Sequence, residues 1–294
     1  MVQSVLDEID KRITENIRAD ELARAANYSV YHFCRVFMQQ TGMPVLMYVT
    51  RRKLEYALYD LSQGKKVIDV AMNYGFETHA GFAKAFKKCY GYPPSLHHLH
   101  ILAHPPERAT TESVKLKHGG MKMQVQIVEL RPLSVVGIVS HHTMPSVKRS
   151  ADIPAYWNTI AIDYGEYLTK CYDTFAPAKH GEYGLCFDVD EKNGEFTYLL
   201  GVEFDRDADD TKIEPDMRKV EISGGMYAVF TTPKVPDAQY AQSIADTWGE
   251  ILAHWLPQSQ YEYDDTRLDF EAYDERDHGD IVQMDICVPI RERK

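Results

Sequence analysis

The chain has few of the features that would place it in a membrane or outside the cell. Its 294 residues contain no run of about 18 apolar residues, the length a membrane-crossing helix needs. The stretch from Met1 to Glu8 has no basic region followed by an apolar one, so no secretory leader is expected. Cysteine is scarce and odd in number (Cys34, Cys89, Cys171, Cys186, Cys287), and no two are spaced Cys-x-x-Cys. That argues against a disulfide framework or zinc ribbon and suits a reducing cytoplasm. Catalytic signatures are missing as well: there is no Gly-x-Ser-x-Gly, no His-Glu-x-x-His and no phosphate loop. His141, His142, His180, His254 and His278 have no metal-ligand spacing with cysteine. No catalytic residue, metal or cofactor is therefore expected.

Positive charge is also in short supply. The net charge is −11, yet residues 1–108 carry +3 and residues 109–294 carry −14. Such an asymmetry points to the first part alone as the face for a polyanion. A composition of 44% hydrophobic and 26% charged residues is that of an ordinary globular protein. At this length two domains are expected. Residues 1–104 show helical periodicity with almost no β-rich run. Residues 105–120 begin with Pro-Pro, end with Gly-Gly and have no periodicity, which reads as a linker. Residues 121–294 alternate short runs of Val, Ile, Phe and Tyr with two long amphipathic segments, an α+β pattern.

Each part repeats internally. Phe37, Gly42 and Pro44 recur at the same spacing as Phe86, Gly91 and Pro93. In the first copy Asp20 is expected to cap a short helix that buries Leu22 and Ala23. Asn27-Tyr28 makes a turn, and Ser29 caps a second helix with core positions Val30, Phe33 and Phe37. The small side chain of Ala23 lets the two helices cross closely. The open face then carries Tyr31, His32, Cys34, Arg35 and Met38. The second copy turns at Tyr74-Gly75-Phe76, is capped by Thr78, buries Phe82 and Phe86, and presents His79, Ala80, Ala83, Lys84 and Lys87. Residues 45–62 connect the copies as one helix with the stripe Leu46, Val49, Leu54, Ala57, Leu58 and Leu61. Arg51, Arg52 and Lys53 on that helix are candidates to neutralise phosphates.

With these residues in view, residues 1–100 resemble the DNA-binding domain of AraC/XylS-type transcription regulators. The match rests on Leu22-Ala23, Ser29, Phe33, Phe37, Gly42-Met-Pro44, Arg52-Lys53-Leu54, Ala71, Tyr74-Gly75-Phe76, Phe82, Phe86, Gly91 and Pro93. The resemblance implies an all-α domain with two helix-turn-helix motifs joined by a long helix. It also implies base reading by Tyr31, Cys34 and Arg35 and by His79, Ala80, Ala83 and Lys84. Arg35 is the candidate for guanine, because its guanidinium can bond O6 and N7 together. Lys84, Lys87 and Lys88 are candidate phosphate clamps.

In the acidic part, two β-rich stretches (125–140 and 217–232) each precede a long amphipathic segment and two more β-rich runs. Two tandem β-α-β-β units are the expected architecture. The first segment carries Ile153, Trp157 and Ile160, the second Ile244, Trp248 and Trp255. Trp157 and Trp255 read as core. The acidic run 205–210 lacks the glycine and terminal glutamate of a calcium loop and reads as a solvated loop. Residues 121–294 are similar to the gyrase-inhibitor-like effector-binding domain, on Val128-Glu-Leu-Arg-Pro132, Ile153-Pro-Ala-Tyr-Trp157, Gly225-Met-Tyr-Ala-Val-Phe230, Trp255-Leu-Pro-Gln-Ser-Gln-Tyr261, Leu268-Asp-Phe-Glu-Ala-Tyr273 and Asp285-Ile-Cys-Val-Pro-Ile290.

That resemblance implies a pseudo-two-fold domain whose groove binds small, apolar, often cationic molecules, with Glu271 as the ligand-binding glutamate. Strand alternation places Leu268, Phe270 and Ala272 on one face and Asp269, Glu271 and Tyr273 on the other. Tyr183, Tyr227, Trp248 and Tyr273 are candidate aromatic walls for a lipophilic cation. The expected function is a cytoplasmic, operator-binding transcription regulator, taken as an activator with RNA polymerase as a partner, responsive to a small-molecule effector and independent of membranes. Two alternatives stand beside it for the second domain: a hydrolase using Glu271 and a tyrosine, or a module that sequesters a toxin or a protein.

Overall fold

The computed structural model describes residues 1–101, 105–116, 125–143, 167–190, 193–205 and 209–293. The first part is helical. Helix α1 (Val2–Lys11) buries Val2, Val5, Leu6 and Ile9 at helical spacing. Helices α2 (Ala19–Ala25) and α3 (Val30–Thr41) make the first motif. Asn27 turns the chain between them at φ 58°, a left-handed conformation that asparagine tolerates. Ser29 caps α3 by accepting from the His32 N–H, and Gly42 ends it at φ 77°. Helix α4 (Val45–Ser62) leads to α5 (Val67–Asn73) and α6 (His79–Tyr90). There Gly75 takes the turn at φ 82°, Thr78 accepts from the Gly81 N–H, and Gly91 ends the helix at φ 86°. Ala23 and Ala71 are fully buried where the paired helices cross.

Three local expectations need correction. Arg18, not Asp20, occupies the cap position of α2; Asp20 sits inside the first turn and ion-pairs with Arg18 and Arg24. Val30 is 45% exposed and Leu46 is 50% exposed, so neither belongs to the core stripe. Val45 and Tyr48 are buried at the start of α4 instead of Leu46, while Val49, Leu54, Ala57, Leu58 and Leu61 of that stripe are buried as expected.

Helix α7 (Pro94–His100) closes the helical domain, and α8 (Thr111–Leu116) lies in the segment read as a linker. Residues 105–116 are fastened to the helical domain rather than free. Arg108 pairs with Asp7, Gln3 donates to the Ala109 carbonyl, and Arg52 donates to the Glu107 carbonyl. Residues 117–120 of that segment lie outside the described residues.

The second part is built on an antiparallel sheet of β1 (Val125–Leu130), β2 (Leu133–Thr143), β3 (Glu182–Asp190), β4 (Glu195–Glu203), β5 (Met217–Ile222), β6 (Gly225–Thr231), β8 (Tyr261–Tyr263), β9 (Phe270–Tyr273) and β11 (Asp285–Glu292). A separate pair is formed by β7 (Val235–Pro236) and β10 (Ile281–Val282). In the strand order β1-β6-β11-β9-β3-β4-β2-β5, positions equally far from the two ends pair β1, β2, β3 and β4 with β5, β6, β9 and β11, both series in chain order. At its centre Tyr183 pairs with Ala272 and Gly184 with Glu271. Gly137 and Gly201 face each other so closely that a Cβ on either would strike the opposing backbone. Helix α9 (167–175) packs Cys171 and Phe175 on Val136 and Val202. Helix α10 (Tyr240–Glu250) runs on through a π-turn at Ile251–Trp255 into α11 (Leu256–Gln258). Trp255 sits edge-on against Phe230, in the core as expected. Ile153, Trp157 and the first-copy stripe up to residue 166 lie outside the described residues, as does Asp207 of the acidic run.

One buried apolar cluster runs from Leu6, Phe37 and Phe86 through Leu99 to Trp248, Tyr273 and Ile290. The helical domain and one face of the sheet therefore share a core. They also share backbone: the Tyr263 N–H donates to the carbonyl of Gly91 at 2.7 Å.

Candidate functional site

The helical domain exposes two helix faces. On α3, Tyr31 is 79% exposed and Arg35 is exposed. Among the described residues Arg35 has no ion-pair partner, so its fork of donors is available to a base edge. His32 is half-buried and stacks on Tyr28 at 5.0 Å. Cys34 is half-buried and packs against the core. On α6, His79, Ala80 and Lys84 are exposed and Ala83 is half-buried.

The basic cluster of α4 divides. Arg52 is only 4% exposed and its guanidinium holds both carboxylate oxygens of Asp10 at 2.7 Å and Glu55 at 2.7 Å. It is an internal brace and cannot reach a phosphate. Arg51 is partly covered, lying over the Tyr90 ring at 5.9 Å and 3.8 Å from Glu55. Lys53 donates to the carbonyls of Glu15 and Tyr74, tying the connecting helix to the segment before α2 and to the turn of the second motif. A sequence pattern of three adjacent cations does not reveal which of them faces inward. Lys87 is also engaged, 2.7 Å from Asp265 of the second domain.

In the second domain the alternation along residues 268–273 holds. Leu268, Phe270 and Ala272 join a cluster with Tyr183, Tyr227 and Cys287. Tyr273 belongs to the opposite face, with Trp248. Glu271 is half-buried on that face and accepts at both oxygens: Trp248 Nε1–H donates to Oε1 at 3.0 Å and the Tyr273 hydroxyl to Oε2 at 2.7 Å. Burial, with Glu271 adding, pushes the Tyr273 hydroxyl far above its ordinary range, so it stays a donor. Of the expected wall, Trp248 and Tyr273 stand beside Glu271. Tyr183 and Tyr227 do not, because their rings pack on Phe270 at 5.9 and 5.6 Å on the other face. A one-residue step along a strand reverses the face, and their strands' registers are not readable from the chain alone.

Sequence reasoning missed the neighbours on the other side of Trp248. His100, the last residue of α7, stacks on the indole with centroids 3.6 Å apart and planes 10° apart. Its Nε2 lies 3.5 Å from Asp269, which also accepts from the Tyr263 hydroxyl at 2.5 Å. Asp269 is 6% exposed and stands on the same face as Glu271. One of three histidines at a helix end carries no periodic signal that could have singled it out. Among the described residues no group of histidine, cysteine and carboxylates has the arrangement of a metal site. Nor is any described helix long and apolar enough to cross a membrane.

Comparison with known proteins agrees with this division. The first third of the chain is 34% identical over 100 residues to the HTH-type transcriptional activator AarP of Providencia stuartii, covering 34% of this chain and 74% of that protein. It is 30% identical over 102 residues to the probable transcription factor PqrA of Proteus vulgaris, covering 32% of this chain and 84% of that protein. A helix-turn-helix domain family matches residues 22–97. The solved structure of SAV2435 bound to tetraphenylphosphonium is 19% identical, with a TM-score of 0.45, covering 57% of this chain and 94% of that one. The profile of the integron-associated effector binding protein family (Cass2) matches residues 126–290, more than half of the chain. The chain belongs to that effector-binding family and, through its AraC-type helix-turn-helix domain, is a DNA-binding transcription regulator with a small-molecule effector domain.

Proposed function

We propose that the helical domain reads an operator with Tyr31 and Arg35 on α3 and His79, Ala83 and Lys84 on α6, while Lys87 clamps phosphate once free of Asp265. Activation through contact with RNA polymerase is the mode we assign, in keeping with the name of the AarP relative. We keep domains at 1–104 and 121–294, the second a pair of tandem units of two strands, a helix and two more strands, since β1 to β4 correspond in chain order to β5, β6, β9 and β11.

The effector is a lipophilic cation seated against Glu271. The observation that carries this reading is a half-buried carboxylate held between an indole N–H and a buried tyrosine hydroxyl. Its remaining lone pairs attract a positive charge more than a neutral group. The Glu271–Tyr273 pair also resembles an acid/base couple, but a tyrosine held so firmly protonated is a poor base or nucleophile. Sensing is the reading it favours. Enrichment of one duplex from a random pool by the full chain, followed by titration of that duplex with and without tetraphenylphosphonium, tests the proposal. A selected motif whose affinity changes with the cation is expected. No enriched motif overturns the DNA assignment, and an operator affinity that the cation leaves unchanged overturns the effector assignment.

A further inference from the structure

We infer that the effector site is completed by the DNA-binding domain, with His100 as a positioning residue that holds Trp248 against Glu271. This rests on Glu271 being the cation-binding carboxylate. Trp248 is used on two sides at once. Its N–H lies in the ring plane and points at Glu271, and one ring face is covered by the imidazole of His100. The stack is almost parallel at 3.6 Å, and Trp248 is 2% exposed. His100 Nε2 also comes within 3.5 Å of Asp269, two residues before Glu271 on the same face of the chain. His100, Trp248, Asp269, Glu271 and Tyr273 thus form one continuous set of contacts, and only His100 comes from the helical domain.

The physical consequence is preorganisation. When the domains separate, the indole loses its cover and one ring face is bared to water. The side chain regains rotamer freedom, and a cation must then spend part of its binding energy ordering it again. Docking and cation binding therefore favour each other, and linkage makes the effect reciprocal. The docked arrangement also ties Lys87 to Asp265 and packs the end of α6, at Gly91, onto Tyr263. Operator binding draws Lys87 toward phosphate and so competes with docking. Cation and operator are antagonists, coupled through the His100–Trp248 stack.

The test uses the full chain with tetraphenylphosphonium as the probe, titrated alone and in saturating operator duplex. Wild type, His100→Ala, His100→Phe and Glu271→Gln are compared. His100→Ala is expected to weaken the cation about three- to tenfold, the range an aromatic stack supplies. It also abolishes the weakening that the operator causes in wild type. His100→Phe, which keeps a ring over the indole, restores both; a residue that merely helps folding would not restore the operator effect. Loss of cation affinity in Glu271→Gln with none in His100→Ala overturns this inference alone. Equal cation binding by wild type and Glu271→Gln overturns the cation reading and this inference with it.

Discussion

Lys87 Nζ, on the second recognition helix, lies 2.7 Å from Oδ2 of Asp265, in a turn of the effector domain. The pair is partly exposed, with Asp265 48% accessible, so its intrinsic strength is small. What matters is which partner Lys87 chooses. Lys87→Ala is expected to weaken all duplexes alike and to lower the slope of affinity against salt by about one. Asp265→Asn is expected to tighten operator binding by roughly threefold at low salt, as the loss of a weak surface pair allows. Fluorescence anisotropy across a salt series checks both. A sequence-dependent loss in Lys87→Ala would move that residue from phosphate to base reading.

Arg35 and Arg52 separate recognition from architecture. Arg35→Ala should cost about 1–3 kcal/mol at one base position and relax specificity there, with thermal stability unchanged. Arg52→Ala leaves the half-buried carboxylate of Asp10 without its cation and Glu55 with only the more distant Arg51, and should destabilise the helical domain by up to about 3 kcal/mol. Thermal melting and competition against single-base operator variants measure the two effects. Retained stability in Arg52→Ala would refute the bracing role.

Acid sensitivity has opposite signs in the two domains. Burial, with His98 and His100 adding, pushes His97 down to about 3. The unfolded chain then binds more protons between about pH 6.5 and pH 3, and the helical domain loses stability as pH falls through that window. In the effector domain burial pushes Asp277 up to about 6, with Glu182 and Asp274 adding and His278 opposing. Here the folded chain binds the extra proton between about pH 4 and 6, so this group's penalty appears as pH rises through 6 and persists above it. Asp277→Asn should therefore stabilise the effector domain near pH 7, by about 1 kcal/mol after allowance for solvent screening. Melting curves from pH 4 to 8 for wild type, His97→Asn and Asp277→Asn test the signs. A helical domain whose acid loss is unchanged in His97→Asn would contradict this assignment.

Much of the helical domain was legible because its signals are local. Ser29, Thr78, Asn27, Gly42 and Gly91 each act within one turn of their own position. Arg52 was misread because burial of a cation depends on Asp10, 42 residues away. In the effector domain, alternation placed Glu271 and Tyr273 together, since they sit on one strand. Tyr183 and Tyr227 lie on other strands, and only the pairings of Tyr183 with Ala272 and of Tyr227 with Pro289 reveal that they face away. His100 escaped notice because its role comes from a neighbouring domain. The segment after residue 104 looked free from composition, yet Asp7 and Gln3 fasten it down.

Calorimetric titration of the full chain with tetraphenylphosphonium and with neutral triphenylphosphine oxide, for wild type and Glu271→Gln, tests the central claim most directly. The substitution keeps the shape and the aromatic neighbours while removing the charge. The cation should lose about tenfold or more in affinity, as expected for a charge contact in a partly dry site, and the neutral compound should be almost unaffected. Equal losses for the two compounds would contradict the account and leave Glu271 a structural residue that braces Trp248 and Tyr273.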